Sequence, residues 1–176
     1  MDGSNQRDNN NPEVIFNTQA SISLTRQEIE KLVRIAKGNS RNRVRLCVHR
    51  TKDEPLHQMF IVHPRYAYVR PHMHVEKSES ILILDGDLDY IIFDERGNIK
   101  ERLEMGAYNS GKHFFQRTGP EIIHTLLIHS EWLVFLELIE GPFVKTETKY
   151  AEWSPPESDH DSAADFVRAL KRKITK

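Results

Sequence analysis

Residues 70–86 read RPHMHVEKSESILILDG, with histidines at 72 and 74, glutamates at 76 and 79, and a glycine at 86. On an extended strand, residues i and i+2 point to the same side. His72 and His74 therefore present two imidazoles in parallel, a spacing that suits one cation. Glu79 falls where the chain has turned or resumed as the next strand, so its carboxylate can close on the same point. Asp85-Gly86 is a tight hairpin signal that ends the unit. Far along the chain, His124 opens the run IIHTLLI after a Gly119-Pro120 corner. Three imidazoles and one carboxylate form a borderline nitrogen–oxygen site for one divalent transition metal: Fe, Zn, Mn, Ni or Cu. The competing reading is a set of surface or satisfied core histidines.

The chain has 176 residues, 38% apolar and 29% charged, which suits a soluble globular protein of one domain with short extensions. Cys47 is the only cysteine. No internal disulfide can form, and a reducing, cytoplasmic setting is expected, with Cys47 a small buried hydrophobe. The formal charge of −1 gives no bias toward nucleic acid or anionic membranes. The opening MDGSNQRDNNN has no apolar core of a signal peptide, and no apolar run approaches the ~20 residues of a membrane span.

Composition divides the chain into a disordered tail at 1–12, a helical segment at 13–40, a β region at 41–147 and a C-terminal extension at 148–176. In the helical segment, Thr25 and Glu28 form an S/T-x-x-E capping box flanked by Leu24 and Ile29. Ile29, Leu32, Val33 and Ala36 repeat at helical spacing up to Gly38. The β region offers eight or nine short strands, among them VRLCVHR, QMFIV, YAYVR, SILIL, DLDYIIF and EWLVFLEL, joined by turns without helices. That pattern predicts an all-β sandwich or barrel. In the extension, Ser162 and Asp165 suggest a cap for a helix striped by Ala163, Phe166, Val167 and Leu170. Its basic end (Arg168, Lys171, Arg172, Lys173, Lys176) complements the helix dipole.

The spacing of His72, His74, Glu79 and Gly86, with His124 after a proline turn, resembles the two motifs of the cupin superfamily. The resemblance implies a double-stranded β-helix, or jelly-roll barrel, with a metal bound by those three histidines and Glu79; Glu76 has the wrong spacing. The second motif departs from the family pattern, because Pro120-Glu121-Ile122 lacks the usual glycine. Arg41-Asn-Arg43, His49, His57-Gln58-Met59, YVRPHMH, FLELIEGPF and the A-x-W-x-P stretch ending at Pro155 are similar to WbuC-type cupin-fold metalloproteins. That family is associated with bacterial cell-surface polysaccharide gene clusters.

Strand parity places Arg70, Tyr68 and Tyr66 on the face of His72 and His74. An arginine there suits an oxyanion or polyhydroxylated ligand, or forms a structural ion pair. Glu137 shares a face with Leu133 and Phe135, as an acid–base group, a partner of a ligand imidazole or an ion-pair partner. On the first strand, alternation alone leaves Arg45, Cys47 and His49 on the solvated face and Val44, Leu46 and Val48 in the core. The resemblance moves Arg45 and His49 toward the ligand. His57, His63, His113 and His129 are not expected to be ligands.

The expected activity is metal-dependent chemistry on a small polar or anionic, sugar-related molecule, isomerase- or epimerase-like, with Glu137 or Tyr68 in proton transfer. The alternatives are an Fe(II)-dependent oxygenase and a non-catalytic metal-dependent binding module. The expected partners are a small molecule and a second copy of the chain, without nucleic acid or membrane. No G-x-S-x-G, P-loop, G-x-G-x-x-G or C-x-x-C occurs, so hydrolase, NTPase, Rossmann and zinc-finger readings lack support.

Overall fold

The Asp85-Gly86 turn predicted from sequence joins two strands at the centre of a long, folded hairpin. Gly86 takes φ 88°, and a Cβ there would run into the Trp132 carbonyl, so only glycine fits. A computed structural model describes residues 5–8 and 11–174. In chain order, its first elements are β1 (Asn5–Asp8), β2 (Asn11–Asn17), α1 (Arg26–Gly38) and β3 (Val44–Cys47). The hairpin follows as β4 (Leu56–Pro64), β5 (His72–His74), β6 (Glu79–Asp85), β7 (Asp87–Phe93), β8 (Ile99–Gly106), β9 (Phe115–Thr118), β10 (Ile123–Ile128) and β11 (Trp132–Glu140). The chain ends with β12 (Thr148–Tyr150) and α2 (His160–Ile174).

Within the hairpin, β4 pairs with β11, β5 with β10, β6 with β9 and β7 with β8, all antiparallel and nested. β6 also pairs with β11, and β7 with β10, which rolls the hairpin into two facing sheets. Their orders are β1-β2-β3-β4-β11-β6-β9 and β12-β5-β10-β7-β8. This is the all-β jelly roll, the double-stranded β-helix of the cupin fold, with a short helix near each end.

Between the sheets lies an apolar core that includes Met59, Ile61, Ile81, Ile83, Leu88, Tyr90 and Phe135. The outer faces are apolar as well. α1 covers one of them, burying Leu32 and Ala36 against Val44, Leu46, Val62 and Val134, with Leu24 and Ile29 packed on the same cluster. The Thr25 amide donates to the Glu28 carboxylate at 2.7 Å, as the capping box requires. α2 covers the second sheet, setting Leu170, Phe166 and Val167 on Ile91, Phe93 and Leu127.

This double covering inverts the reading of β3. Val44 and Leu46 face α1, while Cys47 turns inward into the barrel core and Arg45 and His49 turn to the cavities there. Alternation finds the two faces of a strand but cannot tell which one looks into a barrel whose outside is also buried. Cys47 lies 2% exposed, and burial pushes its thiol up to about 11, which keeps it an unreactive apolar residue.

Several boundaries differ from expectation. Residues 5–8 and 11–12 are strand rather than tail, and 13–17 continue the second strand rather than belonging to the helical segment, because Val14 and Phe16 reach the inner core and Ile15 reaches the α1 cluster. Residues 1–4, 9 and 10, and Lys176 with its neighbour 175, lie outside the described residues. YAYVR is not a strand. β12 extends the second sheet beyond the expected barrel limit by pairing with β5. Asp159, not Ser162, caps α2, accepting from the Ser162 amide at 3.1 Å and its hydroxyl at 2.7 Å. No helix among the described residues is long and apolar enough to cross a membrane.

Replacing Leu32, 1% exposed under α1, with alanine is expected to destabilise the protein by about 2–4 kcal/mol. Urea unfolding measures the loss. Because α1 lies on the outer side of its sheet, metal content should not change.

Candidate metal centre and its cavity

β5 and β10 pair with His72 directly opposite His124, which sets their ring centroids 4.5 Å apart. His74, two residues along β5, stands 5.3 Å from the His72 ring. Glu79 comes from the other sheet, at the start of β6, and is 6% exposed, whereas Glu76 is exposed. One ligating atom each from His72, Glu79 and His124 lie within 4.8 Å of one another. His74 Nε2 meets the second Glu79 oxygen at 3.0 Å, and His124 Nε2 stands 3.4 Å from the first.

The orientation of the rings fits a cation. The Nδ1–H groups of His72 and His124 donate to the Arg70 and Ile122 carbonyls, each at 2.9 Å. A carbonyl only accepts, so Nδ1 carries the proton and Nε2 keeps its lone pair for the centre. Thr148 Oγ1 bonds His74 Nδ1 at 3.2 Å and leaves Nε2 toward Glu79. His124 Nε2 is buried without a hydrogen bond, as suits an atom whose partner is an ion. The residues present therefore fit a divalent metal held by His72, Glu79 and His124, with His74 at the margin against Glu79.

The corner ahead of His124 keeps its turn without the family glycine. Glu121 takes φ 61° and its amide donates to the His74 carbonyl at 2.7 Å. Tyr90, inward on β7, stacks on His124 with centroids 5.3 Å apart, and its hydroxyl pairs with Thr118 Oγ1 at 2.7 Å.

Around this centre the groups titrate in opposed directions. Burial alone would raise the Glu79 carboxyl, but His124 and His74 hold it well below the usual carboxylate range. Burial would lower His124, and the facing Glu79 instead raises it. Burial and the neighbouring His124 push His72 down to about 4. Glu137, on β11, is pushed up to about 8 by burial and by the charge of Glu79, so its carboxyl stays protonated at neutral pH.

Two adjoining cavities open beside the centre, of about 600 Å³ and about 800 Å³. Arg45, Glu137, Thr148 and Tyr150 line both; His72 lines the smaller and His74 the larger. The other expected site residues distribute between them. Arg70 and Tyr68 line the smaller cavity with His72, although their segment is not a strand. Tyr68 gives its hydroxyl to the Pro155 carbonyl at 3.0 Å and sets its ring against Phe166, turned toward α2. Tyr66 lies outside, 66% exposed. His49 lines the larger cavity, buried, with its ring stacked 4.1 Å from His57 and Nδ1 accepting from the Gln58 amide at 3.1 Å.

Sequence reasoning missed Thr148 and Tyr150, which lie past the expected barrel limit, and Glu13, assigned to the helical segment. It also set aside His63, which lines the smaller cavity with a buried, unpartnered Nδ1. Burial and the charges of Arg43, Arg45 and Arg41 push His63 down to about 3.

A family model described as a domain of unknown function, DUF6016, matches residues 24–105. No curated protein sequence matches the chain. Among solved structures, oxalate decarboxylase from Bacillus subtilis is similar at 19% identity and TM-score 0.46, covering 68% of this chain and 31% of that one. The chain thus spans less than a third of that enzyme's length. A Streptomyces protein, PAC13, solved with uridine, is similar at 10% identity and TM-score 0.48, covering 67% of this chain and 88% of that one. Protein SO0799 from Shewanella oneidensis is similar at 8% identity and TM-score 0.49, covering 60% and 72%.

His63 and His72 are held neutral in the fold, far below the ordinary histidine value. As pH falls below about 6.5 the unfolded chain takes up protons that the folded one refuses, so the stability present above that value is lost toward pH 4–3. Glu137 and His124, raised in the fold, gain stability over the same range, so the readout is the difference between variants rather than the net slope. In thermal melts of chelator-treated protein between pH 7 and 5, the midpoint of His63→Leu is expected to rise relative to that of the wild type as pH falls; a constant difference would remove His63 as a cause.

Proposed function

We propose that the protein is a metal-dependent enzyme performing acid–base chemistry on a small anionic, sugar-related molecule. The observation that carries this reading is the set of imidazoles whose Nδ1 atoms are tied back and whose Nε2 atoms converge on buried Glu79. His72, Glu79 and His124 would hold the metal, with His74 joining as a fourth ligand. When bound, the metal would polarise a carbonyl or hydroxyl oxygen as a Lewis acid.

The chain's own residues account for the proton. Glu137 is a half-buried, protonated carboxyl on the wall shared by both cavities, with a pKa of about 8, near the value a general acid–base needs at neutral pH. Tyr68 donates to a backbone carbonyl instead, so Glu137 is the proton carrier in this proposal. Arg45 and Arg70 line the same space and supply positive charge to orient an anion. The buried walls around Glu79 and His124 restrict water at that end. The likeness to WbuC-type proteins supports a sugar-derived substrate, a place in cell-surface polysaccharide metabolism and a cytoplasmic setting.

His72→Ala and His124→Ala are each expected to lose most bound metal while keeping the far-ultraviolet signature of the folded barrel, read by elemental analysis and circular dichroism. Full occupancy in both would remove the metal assignment. Activity is tested by incubating iron-, manganese-, zinc- and nickel-loaded protein with sugar acids and nucleotide sugars in heavy water. Solvent deuterium should enter the substrate, and Glu137→Gln should slow that exchange about 10²–10⁴-fold with metal retained. Binding without exchange would leave a binding module, and oxygen uptake by the iron form would replace this reading with an oxygenase.

A further inference from the structure

The smaller cavity has a wall of guanidinium groups that the metal centre does not use. Arg41, Arg43, Arg45 and Arg70 line it, against the carboxyls of Glu13, Glu157 and Glu137, so arginines outnumber acids even with all three ionised. The arginines are not equivalent. Arg41 is committed to Glu13, at 2.9 and 2.5 Å, and to Glu157; Arg43 reaches Glu157 at 2.6 Å. These pairs tie β2, the segment before β3 and the C-terminal extension into a rim.

Arg45 and Arg70 have no carboxylate partner among the described residues. Arg45 reaches only the Met59 sulfur, at 3.9 Å. The Arg70 guanidinium is held in place by Ser154, Nε to Oγ at 3.1 Å and Nη2 to the carbonyl at 3.0 Å, and lies 4.9 Å over the Tyr150 ring. Its Nη1 has no hydrogen-bond partner among the described residues. A third polar group on this wall is also unanswered: the buried Nδ1 of His63. A planar guanidinium fixed by its back edge, a second without an acid and an orphaned imidazole nitrogen share the chemistry of an oxyanion receptor.

We propose that this cavity holds a carboxylate or phosphate group, gripped by Arg45 and Arg70 and hydrogen-bonded by His63. That the group belongs to a substrate whose other end reaches the metal through the His72 side of the cavity rests on the proposed function; the anion seat itself does not. It needs no metal. Its affinity falls with salt, because most of it is charge at a partly open site.

Calorimetric titration of the chelator-stripped protein with inorganic phosphate and with succinate tests this. The two arms distinguish phosphate from carboxylate. At least one is expected to bind stoichiometrically, with Arg45→Gln and Arg70→Gln each weakening it tenfold or more. Arg96→Gln, in an exposed turn, should leave it unchanged. Binding of neither anion, or equal binding by wild type and both cavity variants, would overturn the proposal. So would binding only after metal loading with no dependence on the arginines, since the anion would then be a metal ligand. In each of those cases metal retention by Arg45→Gln would leave the metal reading standing. Arginine-dependent binding together with full metal occupancy in His72→Ala and His124→Ala would support the anion seat and remove the metal.

Discussion

A carboxylate buried to 6% exposure must be answered by positive charge or by donors, or it loses its own charge. Glu79 is answered by imidazoles from two strands of the opposite sheet, His74 on β5 and His124 on β10. The contact therefore joins the two sheets at the candidate metal centre. Glu79 reaches those rings only if the hairpin has rolled far enough to bring β6 over β5 and β10. The neighbouring layers keep the rings from turning away. Backbone carbonyls hold Nδ1 of His72 and His124, Thr148 holds that of His74, and Tyr90 presses on the His124 face. Orientation rather than proximity separates a ligand set from a cluster of core histidines.

The same low dielectric surroundings explain why Glu137 and Glu79, on neighbouring strands, behave in opposite ways. Glu79 has imidazoles to share its charge and stays ionised; Glu137 sees that charge without an equivalent partner and keeps its proton. Two carboxyls whose environments drive their proton affinities apart are a common basis for acid–base roles. Here the split follows from one fact of strand order: β6 faces the histidines, and β11 faces the cavities.

Much of this was legible in sequence because it rests on short-range rules. Period two placed His72 and His74 together, a tight-turn glycine set the end of β6, and a proline corner set His124 at the start of β10. The helices were legible through capping and stripe. What stayed hidden depends on contacts between distant segments. β1 read as a polar tail and most of β2 as part of the helical segment, because their only long apolar side chains, Val14, Ile15 and Phe16, span three residues, and the surface that holds them is supplied by β3 and α1. β12 is too short to signal itself and exists by pairing with β5. Alternation alone misread the inward face of β3, because α1 makes the outer face apolar too; the resemblance had pointed Arg45 and His49 toward the ligand, and both line the cavities. His63 looked like any other histidine, since its burial and its facing arginines arise only when β3 lies beside β4.

The parts that were hidden are also the ones that shape the cavities, and this has a physical reason. The eight nested strands fill their interior with apolar side chains except at one end, where the imidazoles and Glu79 stand. A metal held there attracts many small oxygen ligands alike, and its ligand set does little to choose among them. Selection must come from groups that reach over the open end. Those groups come largely from chain outside the nested strands: Glu13 on β2, the Arg41–Arg45 stretch leading into β3, Thr148 and Tyr150 on β12, and Glu157 before α2. Because these side chains line the cavities while their apolar neighbours hold the strands to the core, they can change without disturbing the barrel. On the proposed function, the jelly roll would set where chemistry happens, and the added segments would set which molecule is brought to it.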